Sequence, residues 1–394
     1  MSNNLINKKE RDYLKSPMYS YLIVLSFIVA IGFQGWRTLF NNFAIDLVHL
    51  NSIEIGAIQS IREIPGFLSL LVVYLLLVIK EHKLASLSVL LMGIGILFTG
   101  VFDSFWGIVA TTLLMSTGFH YYETTNQSLT LQYFKPNEAA LVMGKAKGYA
   151  AGANILAGIC IWVLSQIPSI SYKIQYFIFG ALVIIVALWG LKYNPTQKLK
   201  HAQHKKIILK KKYWLFYVLN FLSGSRRQIF VVFSVFMLVK KYHFSIEWIT
   251  ILFIINNIIG FFANPFIARL INKFGEKRML TVEYIALTLI FCGYAIFENG
   301  YIIAFLYVLD HIFFPFSMGI RTWFQKIADP KDIGSSMAVG FTINHISAVV
   351  IPFLGGILWS INWRIPFIFG VAIALTSLYF TRFIKTPIRK IENH

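Results

Sequence analysis

A chain of 394 residues that is 57% hydrophobic and 13% charged, with a mean hydropathy of +0.65, is too poor in charge for a soluble domain, which carries about 25%. Its formal charge of +19 would suit a nucleic-acid binder, but the distribution excludes that reading: 25 of the 36 Lys and Arg residues fall on one side of the predicted membrane, 4 on the other and 7 within helices. That asymmetry is the positive-inside signature of a multi-pass membrane protein whose partner is lipid, not a phosphate-backbone footprint.

Residues 1–18 are polar and basic, with no apolar core of a removable signal peptide, and are expected to be a cytoplasmic segment. Apolar runs of spanning length then predict six helices, at roughly 19–47, 53–79, 84–102, 105–133, 138–166 and 173–191. A basic stretch at 192–212 carries Lys192, Lys198, Lys200, Lys205, Lys206, Lys210, Lys211 and Lys212, and reads as a solvated cytoplasmic linker beside anionic headgroups. Six more helices follow at 213–239, 246–271, 279–297, 300–326, 333–360 and 365–383, before a cytoplasmic tail at 384–394. Twelve crossings put both termini on one side, where Lys8, Lys9, Arg11 and Lys15 begin the chain and Arg382, Lys385, Arg389 and Lys390 end it. A bacterial cytoplasmic membrane is the expected location. Cys160 and Cys292 lie within apolar runs, so neither a disulfide framework nor a metal site is expected.

The two sets of six look duplicated. Trp36-Arg37-Thr38-Leu39-Phe40-Asn41-Asn42-Phe43 aligns with Arg226-Arg227-Gln228-Ile229-Phe230-Val231-Val232-Phe233, Ser52-Ile53-Glu54 with Ser245-Ile246-Glu247, and Pro136 and Met143 with Pro330 and Met337. Three nearly constant offsets in order indicate an internal repeat.

Charged and polar groups recur inside the apolar runs, where each is costly unless paired or facing water. Helix 1 stacks Gln34, Arg37 and Asn41 on one face, and helix 7 stacks Asn220, Ser223 and Arg227 with Arg226 beside them. Helix 4 carries Ser116, His120, Glu123 and Gln127 as a stripe, and helix 10 carries Asp310, Ser317 and Arg321 with His311 adjacent. Arg37 and Arg227 occupy equivalent places in the repeat, roughly 15–18 residues or about 22–27 Å along a helix. Facing each other, two guanidiniums need an anion or a carboxylate between them, and their forks suit phosphate and carboxylate. Lys145 and Lys147, early in helix 5, are expected to snorkel to the interface. Arg62 and Glu63 are adjacent and point about 100° apart on an intact helix, so they are not expected to pair, which leaves Glu63 free for Arg37. His345 reads as a structural hydrogen-bonding group, and Pro65-Gly66 predicts a kink.

With six plus six helices and a basic central loop, the chain resembles the major facilitator superfamily. The resemblance covers nearly the whole chain. Between helices 8 and 9 that family carries Gly-x-Leu-x-Asp-Arg-x-Gly-Arg-Arg; here the stretch is Ala268-Arg269-Leu270-Ile271-Asn272-Lys273-Phe274-Gly275-Glu276-Lys277-Arg278. The leucine, the first basic residue, the glycine and the closing basic pair are kept, whereas Asn272 replaces the acid that helps latch the halves in the family. The corresponding turn Ile79-Lys80-Glu81-His82-Lys83 does not match. Arg269, Asn272, Lys273, Gly275 and Arg278 are the expected conformational-motif residues, and with the full motif missing from both copies the latch is expected to be weak or built differently.

The resemblance implies an all-α fold of twelve transmembrane helices in two pseudo-symmetric six-helix bundles, acting alone as a monomer. It also implies a central cavity lined mainly by helices 1, 4, 7 and 10, where the polar stripes lie. Paired arginines on helices 1 and 7 bind phosphate in the family's glycerol-phosphate antiporters. The expected function is secondary active transport of a small solute by alternating access, the solute being an organic anion that bears phosphate or carboxylate and the movement being coupled to protons or to exchange. Gln34, Arg37, Asn41, Gln127, Asn220, Arg226, Arg227 and Arg321 are the expected solute-binding residues. Glu123, Asp310 and His120 are the expected proton-coupling residues. No Gly-rich Lys-Ser/Thr phosphate loop is present, so neither an ATP motor nor any cofactor is expected. Two alternatives stand beside this reading: a proton-driven exporter of drugs, lipids or siderophores, whose 36 Phe and 19 Tyr would line a permissive pocket, and a membrane-embedded enzyme built on His120-x-x-Glu123.

Overall fold

The computed structural model describes residues 12–196, 203, 206–244 and 246–385. Lys8, Lys9, Arg11, Lys198, Lys200, Lys205, Arg389 and Lys390 of the expected basic segments lie outside them, as does the side chain of Asn41. No β-strand occurs among the described residues; twelve helical rods do.

The first half comprises α1 (Pro17–Asn42), a broken rod α2 (Ser52–Ile61, Ile64–Phe67, Val72–Leu75), α3 (Glu81–Thr99), α4 (Phe105–Tyr133), α5 (Pro136–Ser165) and α6 (Tyr172–Lys192). The second comprises α7 (Trp214–Gln228, resumed at Val235–Lys240), α8 (Ile246–Phe274), α9 (Glu276–Ile296), α10 (Gly300–Phe313, resumed at Met318–Ile327), α11 (Ile333–Ile361) and α12 (Ile365–Thr381). Ten of these rods are long and apolar enough to cross a membrane; α12, at Ile365–Thr381, is shorter. The polar stripe of α4 keeps that 29-residue helix out of the apolar set, although its length spans.

Local sequence chemistry sets the helix starts. Ser104 caps α4 by accepting from Gly107 N, and Asn299 caps α10 by accepting from Tyr301 N and Ile302 N. Pro136 opens α5 two residues before the predicted start, where the missing N–H is harmless and Glu138 reaches back to Lys135 N at 3.0 Å. Gly275, at φ 83°, makes the turn between α8 and α9 in a left-handed conformation open to glycine and strained for other residues.

The repeat read from sequence has matching local structure. The Arg37 and Arg227 segments each run into a π-helical turn, Phe43–Leu47 and Ile229–Ser234. Each half then carries a histidine in the left-handed region, His49 at φ 58° and His243 at φ 55°, which ends the first rod and starts the turn to the second. This histidine pair was missed in the sequence reading because one residue is deleted between it and the repeated Ser-Ile-Glu.

Packing repeats as well: α1 lies on α5 and α6 as α7 lies on α11 and α12, while α3 lies on α4 and α6 as α9 lies on α10 and α12. The halves meet along α5–α8 and along α2 and α4 against α11. At the first seam Gly144, Gly148 and Gly152 let α5 reach α8; a Cβ on Gly144 would stand 2.6 Å from Ala268 Cβ and 2.8 Å from Asn264 O.

Two expectations need correction. The helix of α2 is interrupted by a turn at Arg62 and Glu63, before Pro65, and the lost helical spacing lets these neighbours pair at 2.5 Å. The end of the basic linker is not simply solvated. Lys210 pairs with the buried Asp332 at 2.5 Å, and Ile208 is buried with its N–H on Ser335 Oγ at 2.8 Å.

Candidate functional site

Following the chain, the ends of α4 and α10 and the start of α5 share the side of the membrane that holds the chain's first described residues. A cavity of about 220 Å³ lies in that half of the molecule, between α1, α4, α5 and α10. Glu123, Gln127, Lys147, Asn154 and Arg321 give it its polar wall, and Phe33 and Phe119, stacked at 4.4 Å, part of its apolar one. Gln127 Nε2 donates to Glu123 Oε2 at 3.4 Å, which holds that carboxylate in place. The charges acting on Glu123 include Arg321, Lys147 and Arg227. Arg321 and Lys147 line the same cavity as this acid.

A second cavity, of about 270 Å³, lies toward the opposite side and is lined by Arg37, Asn154, Asn256, Asn257, Tyr307 and His311. Asn154 lines both, and its amide donates to Asn257 Oδ1 across the halves at 3.0 Å. Arg37 is exposed into this second cavity and steadied by Gln34, whose Oε1 accepts from it at 2.9 Å.

The structure therefore sorts the expected residues into groups. Arg321, Glu123 and Gln127 come together. Arg37 lines the other cavity with Gln34 bonded to it, and Arg62 acts electrostatically on both Arg37 and Arg227. Arg226 is not free for a solute. It is 2% exposed and bonded at 2.6 Å to Glu283, because residues one apart on α7 point about 100° apart and this one faces α9. Asp310, 3% exposed, lies near the same pair, and its Oδ2 has no hydrogen-bond partner among the described residues. Asn220 spends its amide on Phe216 O at 2.8 Å, and its own carbonyl accepts from Asn344 at 3.1 Å, so it holds α7 to α11. His120 is in contact with His345 of α11 at a ring-centroid distance of 5.0 Å.

Lys147 is the cavity residue that sequence reasoning misplaced. It lies about three turns into α5, too deep to snorkel, and it reaches the cavity while Lys145, about 200° away, meets Tyr13 and Tyr19. The signal was present as Lys147 and Asn154, seven residues apart and therefore on one face.

In the last turn of α8, Asn272 Nδ2 donates to Asn137 O at the start of α5 at 2.5 Å. Gln325 Nε2, from α10, donates to Leu131 O and Phe134 O at 2.6 Å each, occupying carbonyls at the end of α4. Of the other motif residues, Arg269 lines a groove with Lys145, Lys273 and Arg278 are exposed, and Glu276 is buried against Lys326 at 2.5 Å.

The fold has close counterparts among solved structures. The chain superimposes with a TM-score of 0.76 on the transporter FucP in its outward conformation, at 15% identity, covering 93% of this chain and 98% of that one. A bacterial homologue of the iron transporter ferroportin, outward-facing, gives 0.75 at 13% identity over 93% and 98% of the two chains. A human organic anion transporter gives 0.72 at 11% identity over 93% and 99%. An uncharacterised MFS-type transporter of Methanocaldococcus jannaschii is 26% identical over 128 residues, a match that spans 32% of this chain and 32% of that relative. The family model described as Major Facilitator Superfamily matches residues 22–349. Taken with the twelve helices and the cavity between their two halves, that match makes this chain a membrane transporter belonging to the major facilitator superfamily.

Proposed function

We propose that the protein moves a small organic anion, bearing a phosphate or carboxylate, by alternating access across a bacterial cytoplasmic membrane, coupled to protons. The observation that carries this reading is the cavity wall in which Arg321 and Lys147 face the single carboxylate Glu123, with Gln127 beside it. Cations in a low-dielectric passage are stabilised by an anion that enters, and guanidinium offers the planar fork that phosphate and carboxylate fit. Arg37, presented by Gln34 in the second cavity, offers the solute a further guanidinium.

Proton coupling rests on Asp310. One guanidinium, Arg226, is buried with two carboxyl groups, Glu283 and Asp310, so charge balance leaves a place for one exchangeable proton. Glu123 is the second candidate, since solute on Arg321 and Lys147 would change the field at its carboxyl. The positive-inside count supports cytoplasmic termini, with halves at 19–191 and 213–383 joined by the linker at 192–212. The working unit is a monomer.

The test is a thermal-stability screen of purified protein against organic phosphates, carboxylates, neutral sugars and cationic drugs. Ligand at 100 times its dissociation constant should add about 2.7 kcal/mol of stability. An anion should stabilise the wild type and fail to stabilise Arg321→Gln. Stabilisation by a neutral or cationic solute that is undiminished in Arg321→Gln would overturn the reading.

A further inference from the structure

We propose that Glu63, His120 and His345 form a binding site for one divalent transition-metal ion that bridges the two halves of the transporter. One ligand atom from each of the three lies within 4.8 Å of the others. Glu63 comes from α2, His120 from α4 and His345 from α11, so the site crosses the seam between the halves.

The hydrogen bonds around both histidines prepare them as ligands. His120 Nδ1 contacts Ser116 O at 2.9 Å and Ser116 Oγ at 3.0 Å, and that hydroxyl itself donates to Arg62 O. His345 Nδ1 contacts Phe341 O at 2.9 Å. A carbonyl only accepts, so Nδ1 carries the hydrogen in each neutral ring and Nε2 keeps its lone pair. A metal-bound histidine uses this same arrangement, with its second nitrogen donating to a carbonyl. The backbone of α2 comes close because residue 66 is glycine: a Cβ there would stand 2.4 Å from His345 Cδ2 and 2.9 Å from His120 Nε2.

Two imidazoles and one carboxylate select for zinc, iron(II) or cobalt(II) over calcium and magnesium, which take oxygen ligands. Bonds of about 2.1 Å in a tetrahedral site set ligand atoms about 3.4 Å apart, so ligand atoms within 4.8 Å of one another must draw in by up to about 1.4 Å. The charged neighbours oppose binding. Arg62 holds Glu63 at 2.5 Å, and Arg227 acts on both Glu63 and His345. Arg62 has a second partner, Gln59 Oε1 at 3.0 Å from its Nε, and its side chain is 20% exposed, so it can release Glu63 without being stranded. Metal entry is therefore an exchange on Glu63 between a guanidinium and a divalent cation.

The experiment is titration of purified, tag-free, full-length protein with Zn2+ by calorimetry, and with Co2+ by its visible absorption. Wild type should bind one ion, with a cobalt spectrum of nitrogen-containing coordination. His345→Asn and Glu63→Gln should each weaken binding by more than about tenfold, beyond what loss of an outer-shell partner costs at its mildest. Arg62→Gln, which removes the competitor and leaves every ligand in place, should bind more tightly than wild type. Saturable binding that is identical in wild type, His345→Asn and Glu63→Gln would place the metal elsewhere and overturn the proposal. Absence of saturable binding in both wild type and Arg62→Gln would overturn it as well.

Discussion

Arg226 and Glu283 are buried to 2% and 0% exposure and hold each other at 2.6 Å between α7 and α9. Removing one partner of such a pair strands the other charge, which costs about 3–5 kcal/mol. Arg226→Met, which strands Glu283 beside Asp310, should therefore lower unfolding stability by about that much, and the double change Arg226→Met with Glu283→Leu should recover part of it, as read by a chemical unfolding midpoint in detergent. Asp310→Asn keeps the shape of the neighbouring site and removes its titratable carboxyl. Transport by this variant should lose its dependence on an imposed pH gradient while solute exchange continues; full retention of gradient-driven uptake would move the proton elsewhere. At this scale the sequence was half legible. It marked the polar residues of α1, α4, α7 and α10, but not which of two adjacent arginines turns to a carboxylate on another helix. Arg226 meets Glu283 57 positions away, and nothing local to α7 encodes that partner.

The helices themselves were readable because a membrane crossing needs a long apolar run, and α3, α6 and α9 supply one without interruption. The course of α2 was less so. Pro65-Gly66 announced a kink, yet the helix gives way earlier, at Arg62 and Glu63, and the redirected side chains make an ion pair that helical spacing forbids. The seam of α5 with α8 depends on small residues in a stripe four apart. Gly144→Val should cost about 1–3 kcal/mol by overpacking against Ala268 and Asn264 O. Gly158→Val on the same helix is the control, since a Cβ there meets nothing within 4 Å. Thermal unfolding of the two variants side by side measures the difference, and equal midpoints would mean that α5 and α8 can separate at no cost.

Across the whole molecule, the hydrogen bonds from Asn272 and Gln325 clasp the halves on the side of the termini. The duplication seen in the sequence predicted two halves, and the altered motif left a latch that was weak or built differently; Gln325 was illegible because its partners are backbone carbonyls, which carry no sequence signature. Replacing both with alanine should shift the population toward states open on the termini side. A cysteine placed at Lys147, otherwise sheltered, should then label faster from that side, and an unchanged labelling rate would deny the clasp. All of this bears on one central claim, that an anion crosses through the cavity walled by Arg321, Lys147 and Glu123. The most direct test is uptake into proteoliposomes of the anion that best stabilises the purified protein, under a pH gradient and without ATP. Accumulation by the wild type and its loss in Arg321→Gln is the predicted result, whereas equal accumulation by both proteins would contradict it.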